Sequence, residues 1–441
     1  MKTTPPPPPP PTPTPAPAES IQVHTLANGV RLVAIVMPQL RSASVSVFVR
    51  TGSVHESVRQ SGISHVVEHM AFKGTASRDC RTINLQAELL GAEVNAHTDK
   101  DHTAYHLRGL AAHAGEFITM LGDIVCHSSF PADELERERQ VILQEVLEDE
   151  DDPVSTAFKL FDAACWGRHA MARPVIGARR CIEAFTQADL QAYVGRQYSG
   201  ANVIVCVAGG IDPAALLAPL EQAFGALPAG VPNLVAAPVY GGGVRTRRQA
   251  GSSQSHLVVG FPLPALGQAD AASALAAVLL GEGMSSPLLH ELRERRGLVY
   301  YAACSADIGP LAGQFVIEAS TTPGQLDELS RELVTLLARQ AERIDPTDLQ
   351  RARNQMAVRR LRARERPMRR METAAQELFH LGRLRSDDEI AAADAAVDAE
   401  ALRGVFQAMY RRPAAAAVAG KLSQGLRDML GERLATLRPA S

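Results

Sequence analysis

No stretch of about 18 apolar residues occurs anywhere in the chain, so no transmembrane helix is expected. The N-terminus lacks the apolar core of a secretory signal. The six cysteines, Cys80, Cys126, Cys165, Cys181, Cys206 and Cys304, form no CxxC pair. Neither a disulfide framework nor a thiolate zinc site is therefore expected, and a reducing, cytoplasmic compartment is. An excess of one charge is missing too: 45 basic residues stand against 48 acidic ones, a net of -3. That balance gives no electrostatic ground for nucleic acid or an anionic membrane as a partner.

What is present is ordinary globular material. Of 441 residues, 46% are hydrophobic and 21% charged, enough for a sizeable core but too long for one ordinary domain. Residues 5–18 are mostly proline, so residues 1–20 read as a disordered, solvated Pro-rich tail. β-Rich runs at residues 21–25 and 30–36 flank Asn28-Gly29, a hairpin signal, and Val45, Val47 and Val49 alternate along a third strand at 43–49. Helices are expected at 63–72, 83–90, 109–127 and 132–150, and a buried strand at 203–208. Residues 227–251, rich in proline and glycine, read as a linker. The pattern then restarts, with a strand at 257–261, helices at 269–280 and 288–296, and a strand at 314–320. The simplest account is an α+β fold of two homologous domains, 21–226 and 252–441, each a mostly antiparallel sheet with packed helices.

The sharpest local signal is His65-Val66-Val67-Glu68-His69. On a helix, positions i and i+4 share a face, so His65 and His69 can grip one ion, and Glu68 points to the same side. Two imidazoles at this spacing suit zinc, and a neighbouring carboxylate suits a general base for a zinc-bound water. The HxxEH order inverts the commoner HExxH arrangement. A catalytic zinc wants a third protein ligand, and Glu134, Glu136, Glu138, Glu145, Glu148 and Glu150 are all candidates. Spacing alone does not choose among them.

Here the text resembles a known family. HVVEHMAFKGT (65–75), GAEVNAHTDKDHTAY (91–105), RQVILQEVLEDEDDP (139–153) and LGEGMSSPLLHELRERRGLVYYA (280–302) look like segments of the pitrilysin/insulinase zinc peptidases, in the mitochondrial-processing-peptidase-like branch. The resemblance runs from about residue 21 to about residue 434. It implies a metalloendopeptidase holding one zinc ion per chain through His65, His69 and Glu145, with Glu68 as general base and Glu138 as an assisting glutamate. It also implies that Arg293 and Tyr300 hold the substrate backbone and the developing oxyanion across a closed chamber. Residues 93–98 read as an edge strand to which a peptide substrate could add, with Asn95 and Ala96 lining the groove. The chain would be half of a clamshell, completed as a homodimer or as a heterodimer with a related subunit. The alternative is a non-catalytic or weakly active partner subunit of a heterodimeric processing peptidase.

Three further features point to no function. His97, His102 and His106 are spaced by five and four across a strand and turn, not along one face, and a surface or groove role is expected rather than a metal. Nine arginines between Arg351 and Arg370 have no interleaved aromatics for base stacking and read as a solvated helix face broken at Pro367. Gly281, Gly283 and Ser285-Ser286 lack the Gly-Lys-Ser/Thr ending of a phosphate loop.

Overall fold

The computed structural model describes residues 19–268 and 270–436. Residues 1–18 of the expected tail lie outside that range, as does Ala269, the expected start of the alanine-rich helix that runs Ala271–Gly281. Strand β1, Ser20–Thr25, already begins within the span expected as tail.

Two sheets organise the chain. The first takes β1, β2 (Arg31–Val36), β3 (Ser42–Val49), β4 (Glu93–Thr98), β5 (Thr103–Leu110) and β6 (Val203–Gly209) in the order β1-β2-β6-β3-β5-β4. The second takes β7 (Gly243–Arg248), β8 (Ser255–Leu263), β9 (Tyr301–Ile308), β10 (Gly313–Thr321) and β11 (Ala415–Gly420) in the order β7-β11-β8-β10-β9. Strands β2 and β6 pair in parallel and every other pair of the first sheet is antiparallel. In the second sheet β7 and β11 make the parallel pair. Strand for strand, β7 to β11 repeat β2 to β6, so β4 and β9 are equivalent edges. The fold is α+β, with two mostly antiparallel sheets covered by helices.

Two expected boundaries move because distant partners extend the strands. Gly109 and Leu110, expected in a helix, pair with Ala43 and Ser42, and the helix itself is Ala114–Cys126. Gly243–Arg248, expected within the linker, pairs with β11 and becomes β7.

One face of each sheet carries the helices of its own half. Val45, Val47 and Val49 point into the first core against Ile63, Val66, Met70, Phe117 and Leu121. The other face is covered by a helix exchanged from the opposite half. Met371, Ala374, Ala375, Leu378 and Phe379 of helix Pro367–His380 pack on Val33, Ile35, Phe48 and Ile204. Reciprocally, Ala157, Phe161 and Trp166 of helix Pro153–Trp166 pack on Val258, Val316 and Ala417. Gly260 permits this approach, since a Cβ there would lie 2.4 Å from the Phe161 ring. Each exchanged helix follows a long helix broken by a proline at its first turn, where the missing N–H costs nothing. No helix among the described residues is long and apolar enough to cross a membrane.

Candidate metal centre

Helix Ile63–Ala71 is amphipathic in a way that sorts chemistry from packing. Ile63, Val66, Val67 and Met70 are buried in the first core, while His65, Glu68 and His69 are half-buried along the opposite stripe. Gly62 starts the helix at φ 94° and crosses the Gly177 backbone so closely that neither position has room for a side chain. Glu56 caps the same end, accepting hydrogen bonds from Gly62 N at 2.8 Å and Ser64 N at 3.0 Å. Burial pushes its carboxyl up to about 7.

His65 Nε2 and His69 Nε2 lie 3.3 Å apart, their rings near perpendicular at 73°. Glu145, on helix Ala132–Asp151, brings Oε2 to 3.7 Å from His65 Nε2 and 3.6 Å from His69 Nε2. A tetrahedral ion with ligand bonds of about 2.0–2.1 Å sets its ligand atoms about 3.3–3.4 Å apart. The three donors fit a zinc ion of that kind and leave a fourth position for a non-protein ligand. Burial and the adjacent His69 lower His65 to about 4, which keeps the ring neutral as a ligand must be.

Of the six candidate glutamates, only Glu145 meets both imidazole Nε2 atoms. Glu138 instead accepts from the far nitrogen, His69 Nδ1, at 3.2 Å, and its other oxygen pairs with Lys73 at 2.5 Å. Glu134 and Glu136 pair with Arg137 and Arg139. Glu68 stands beside the pair with its Oε2 accepting from the Thr98 hydroxyl at 2.9 Å, and burial raises its pKa above the usual carboxylate value.

Comparison with known proteins gives the family. Residues 31–179 match the family described as insulinase, peptidase family M16, and residues 184–356 match the peptidase M16 inactive domain. A Bacillus subtilis protein named uncharacterized zinc protease YmxG is 30% identical over 393 residues, 88% of this chain and 96% of its own length. A Rickettsia felis protein named uncharacterized zinc protease is 28% identical over 375 residues, 84% of this chain and 90% of its own. The crystal structure of a protease from Helicobacter pylori superposes with a TM-score of 0.84 at 21% identity, over 91% of this chain and 99% of that one. The chain belongs to the insulinase family of peptidases.

In this insulinase-family chain the remaining expected site residues are outside the His65–His69–Glu145 group. Asn95 and Ala96 are on β4, which pairs with β5 on one side and is the edge of its sheet. Arg293 sits over the Tyr300 ring, 5.3 Å from guanidinium carbon to centroid, in the second half. Its polar partners are Met284 and Glu294, not the histidine pair, and Tyr300 is 81% exposed. Two residues that support the centre had no signal in the sequence. Glu56 lies six positions before Gly62, outside any capping spacing, and Thr98 reaches Glu68 only because β4 packs beside the helix.

The expectation of a surface role does not hold for His102 and His106, while His97, on the edge strand, is half-buried. His102 and His106 are buried, and the β4–β5 hairpin folds the three rings onto one another beneath helix Pro367–His380. Spacing across a strand and turn misjudged them because the hairpin supplies the proximity.

Proposed function

We propose that this chain is a zinc-dependent endopeptidase that hydrolyses short or unfolded peptides. The observation that carries the proposal is the meeting of His65, His69 and Glu145 at ligand spacing, with Glu68 on the same helix face. In this reading the three hold one zinc ion. When bound, zinc supplies a Lewis acid for the scissile carbonyl and acidifies a water.

The side chains do the rest. Glu68 takes a proton from the attacking water and delivers it to the leaving amine nitrogen as the C–N bond breaks. Its raised pKa suits a carboxyl that must hold that proton between the two events, and Thr98 fixes its orientation. Glu138 acts through His69, holding the ring so that Nε2 faces the ion. A peptide adding to the β4 edge would line up along Asn95 and Ala96 and pass beside Glu68, because Thr98 of the same strand touches that base. Backbone pairing of this kind selects extended chains over folded ones.

Arg293 and Tyr300 make no polar contact with the metal cluster of their own chain. We assign them to substrate and oxyanion contacts across a chamber closed by a second chain, in a homodimer or with a related subunit. All six cysteines are free, in keeping with a reducing, cytoplasmic setting. The alternative of a non-catalytic partner subunit has no use for a complete donor set with an oriented base beside it.

Cleavage of a peptide library by wild type and Glu68→Gln, with zinc counted in both, tests the reading. The variant is expected to keep as much zinc as the wild type and lose activity by about 10²–10⁴-fold. Equal activity in the two proteins would remove Glu68 from the reaction.

A further inference from the structure

We propose that the half-buried cluster under the exchanged helix is a second divalent-metal site, built from His97, Asp99, His102 and Glu372. Each of the four offers a ligand atom, and these atoms all lie within 4.8 Å of one another. His97 Nε2 and His102 Nε2 face each other at 3.3 Å, the same separation as the His65–His69 pair. The two rings meet nearly at right angles, 88°. Imidazole and carboxylate donors in equal number suit zinc and its first-row neighbours.

The groups behind the four donors are arranged as metal ligands require. A ligating imidazole gives its other nitrogen to an acceptor, which fixes the tautomer and the ring angle. His102 Nδ1 lies 3.1 Å from Asp101 Oδ1, and Gln376 reaches the same nitrogen at 2.8 Å. His97 Nδ1 lies 2.9 Å from His106 Nε2, and His106 Nδ1 lies 2.7 Å from Ser46 Oγ. One relay fits the contacts among the rings, the carboxylate and the hydroxyl: His102 donates to Asp101, His97 donates to His106, and His106 donates to Ser46 Oγ, while the Gln376 amide nitrogen, itself a donor, makes no hydrogen bond to the protonated His102 Nδ1. In that relay both Nε2 atoms are left bare and facing each other, which places two lone pairs where a cation can take both.

The scaffold is rigid on both sides. The hairpin turn closes with Asp99 N donating to His102 O at 2.8 Å, and Lys100 ties it to Asp162 and Met171 O. Across from it, Glu372, Gln376 and His380 form one stripe of helix Pro367–His380, and all three meet the cluster. Arg369 holds Glu372 Oε2 at 2.9 Å. An ion here would join the β4–β5 hairpin of the first half to the helix exchanged from the second. The same hairpin carries the edge strand, so the ion would brace the substrate edge without touching substrate.

The test is metal counting on the full chain, equilibrated with excess zinc and then desalted. Four proteins are compared: wild type, His65→Ala/His69→Ala, His97→Ala, and all three substitutions together. The expected counts are about two zinc ions per chain, about one, about one and about none. One ion in wild type with none in His65→Ala/His69→Ala would overturn the proposal, as would an undiminished count in His97→Ala. If circular dichroism shows that His97→Ala does not fold, Asp99→Asn replaces it, because Asp99 is exposed at the turn. That variant is expected to bind the second equivalent at least about 10-fold more weakly in a chelator competition, and unchanged affinity would contradict the site. Because the count in His65→Ala/His69→Ala does not depend on catalysis, the endopeptidase reading and the second site can fail separately.

Discussion

Glu138 and Glu145 share one helix, yet they meet opposite sides of the same imidazole. Glu145 Oε2 approaches both Nε2 atoms, while Glu138 holds His69 Nδ1 and is itself held by Lys73. A carboxylate behind a ligating ring fixes its tautomer and raises its basicity, and its loss typically weakens metal binding 10–100-fold, so Glu138→Gln is expected to lower zinc affinity about 10-fold or more. A competition titration against a chromophoric chelator reads this directly. Unchanged affinity would mean that Glu138 positions nothing. The distinction was invisible in the sequence, where six glutamates on one helix looked alike. The imidazole pair was legible because its spacing is set by the helix alone. Glu145 was named only through resemblance, since its approach depends on how two helices pack.

The helix that presents the pair depends on Glu56 for its first turn. Two of its orphan N–H groups are satisfied by that one carboxylate. Burial raises Glu56 from 4.5 to about 7, so the folded chain holds the proton more tightly than the unfolded one. Where the native state binds more protons, stability falls as pH rises. The stabilising contribution is full below about 4.5, declines between about 4.5 and about 7, and is gone above. Glu56→Gln removes the titration and keeps an acceptor at the cap. Urea unfolding from pH 5 to pH 8 is expected to show the wild type losing ground to the variant as pH rises. Parallel profiles would contradict the assignment. Helices and strands were legible wherever periodicity decided them. They failed at Gly109-Leu110 and at Gly243–Arg248, where strand pairing with residues far along the chain decides the element.

At the scale of the molecule, the two halves repeat one strand order and trade a helix each. The exchange explains a pattern that one-sided amphipathicity does not: Ser44, Ser46 and Phe48, on the far face of β3 from its valines, are also buried, because a helix from the other half lies on them. The polar partners of Arg293 are Met284 and Glu294, and it lies over the Tyr300 ring, away from His65, His69 and Glu145. If a second copy supplies them, two inactive variants should rescue each other. Mixing Glu68→Gln with Arg293→Ala and allowing the subunits to exchange makes mixed pairs in which one of two sites is whole, so up to about a quarter of wild-type activity should return. No recovery above the separate variants would place the arginine outside the shared chamber.

The central claim is that His65, His69 and Glu145 surround one zinc ion. Anomalous diffraction from crystals of the zinc-loaded chain, collected on both sides of the zinc edge, tests it most directly. The account predicts a zinc-specific peak about 2.0–2.2 Å from His65 Nε2, His69 Nε2 and a Glu145 carboxylate oxygen together. A zinc-loaded crystal with no such peak between the two rings, or with Glu145 turned away from it, would contradict the account.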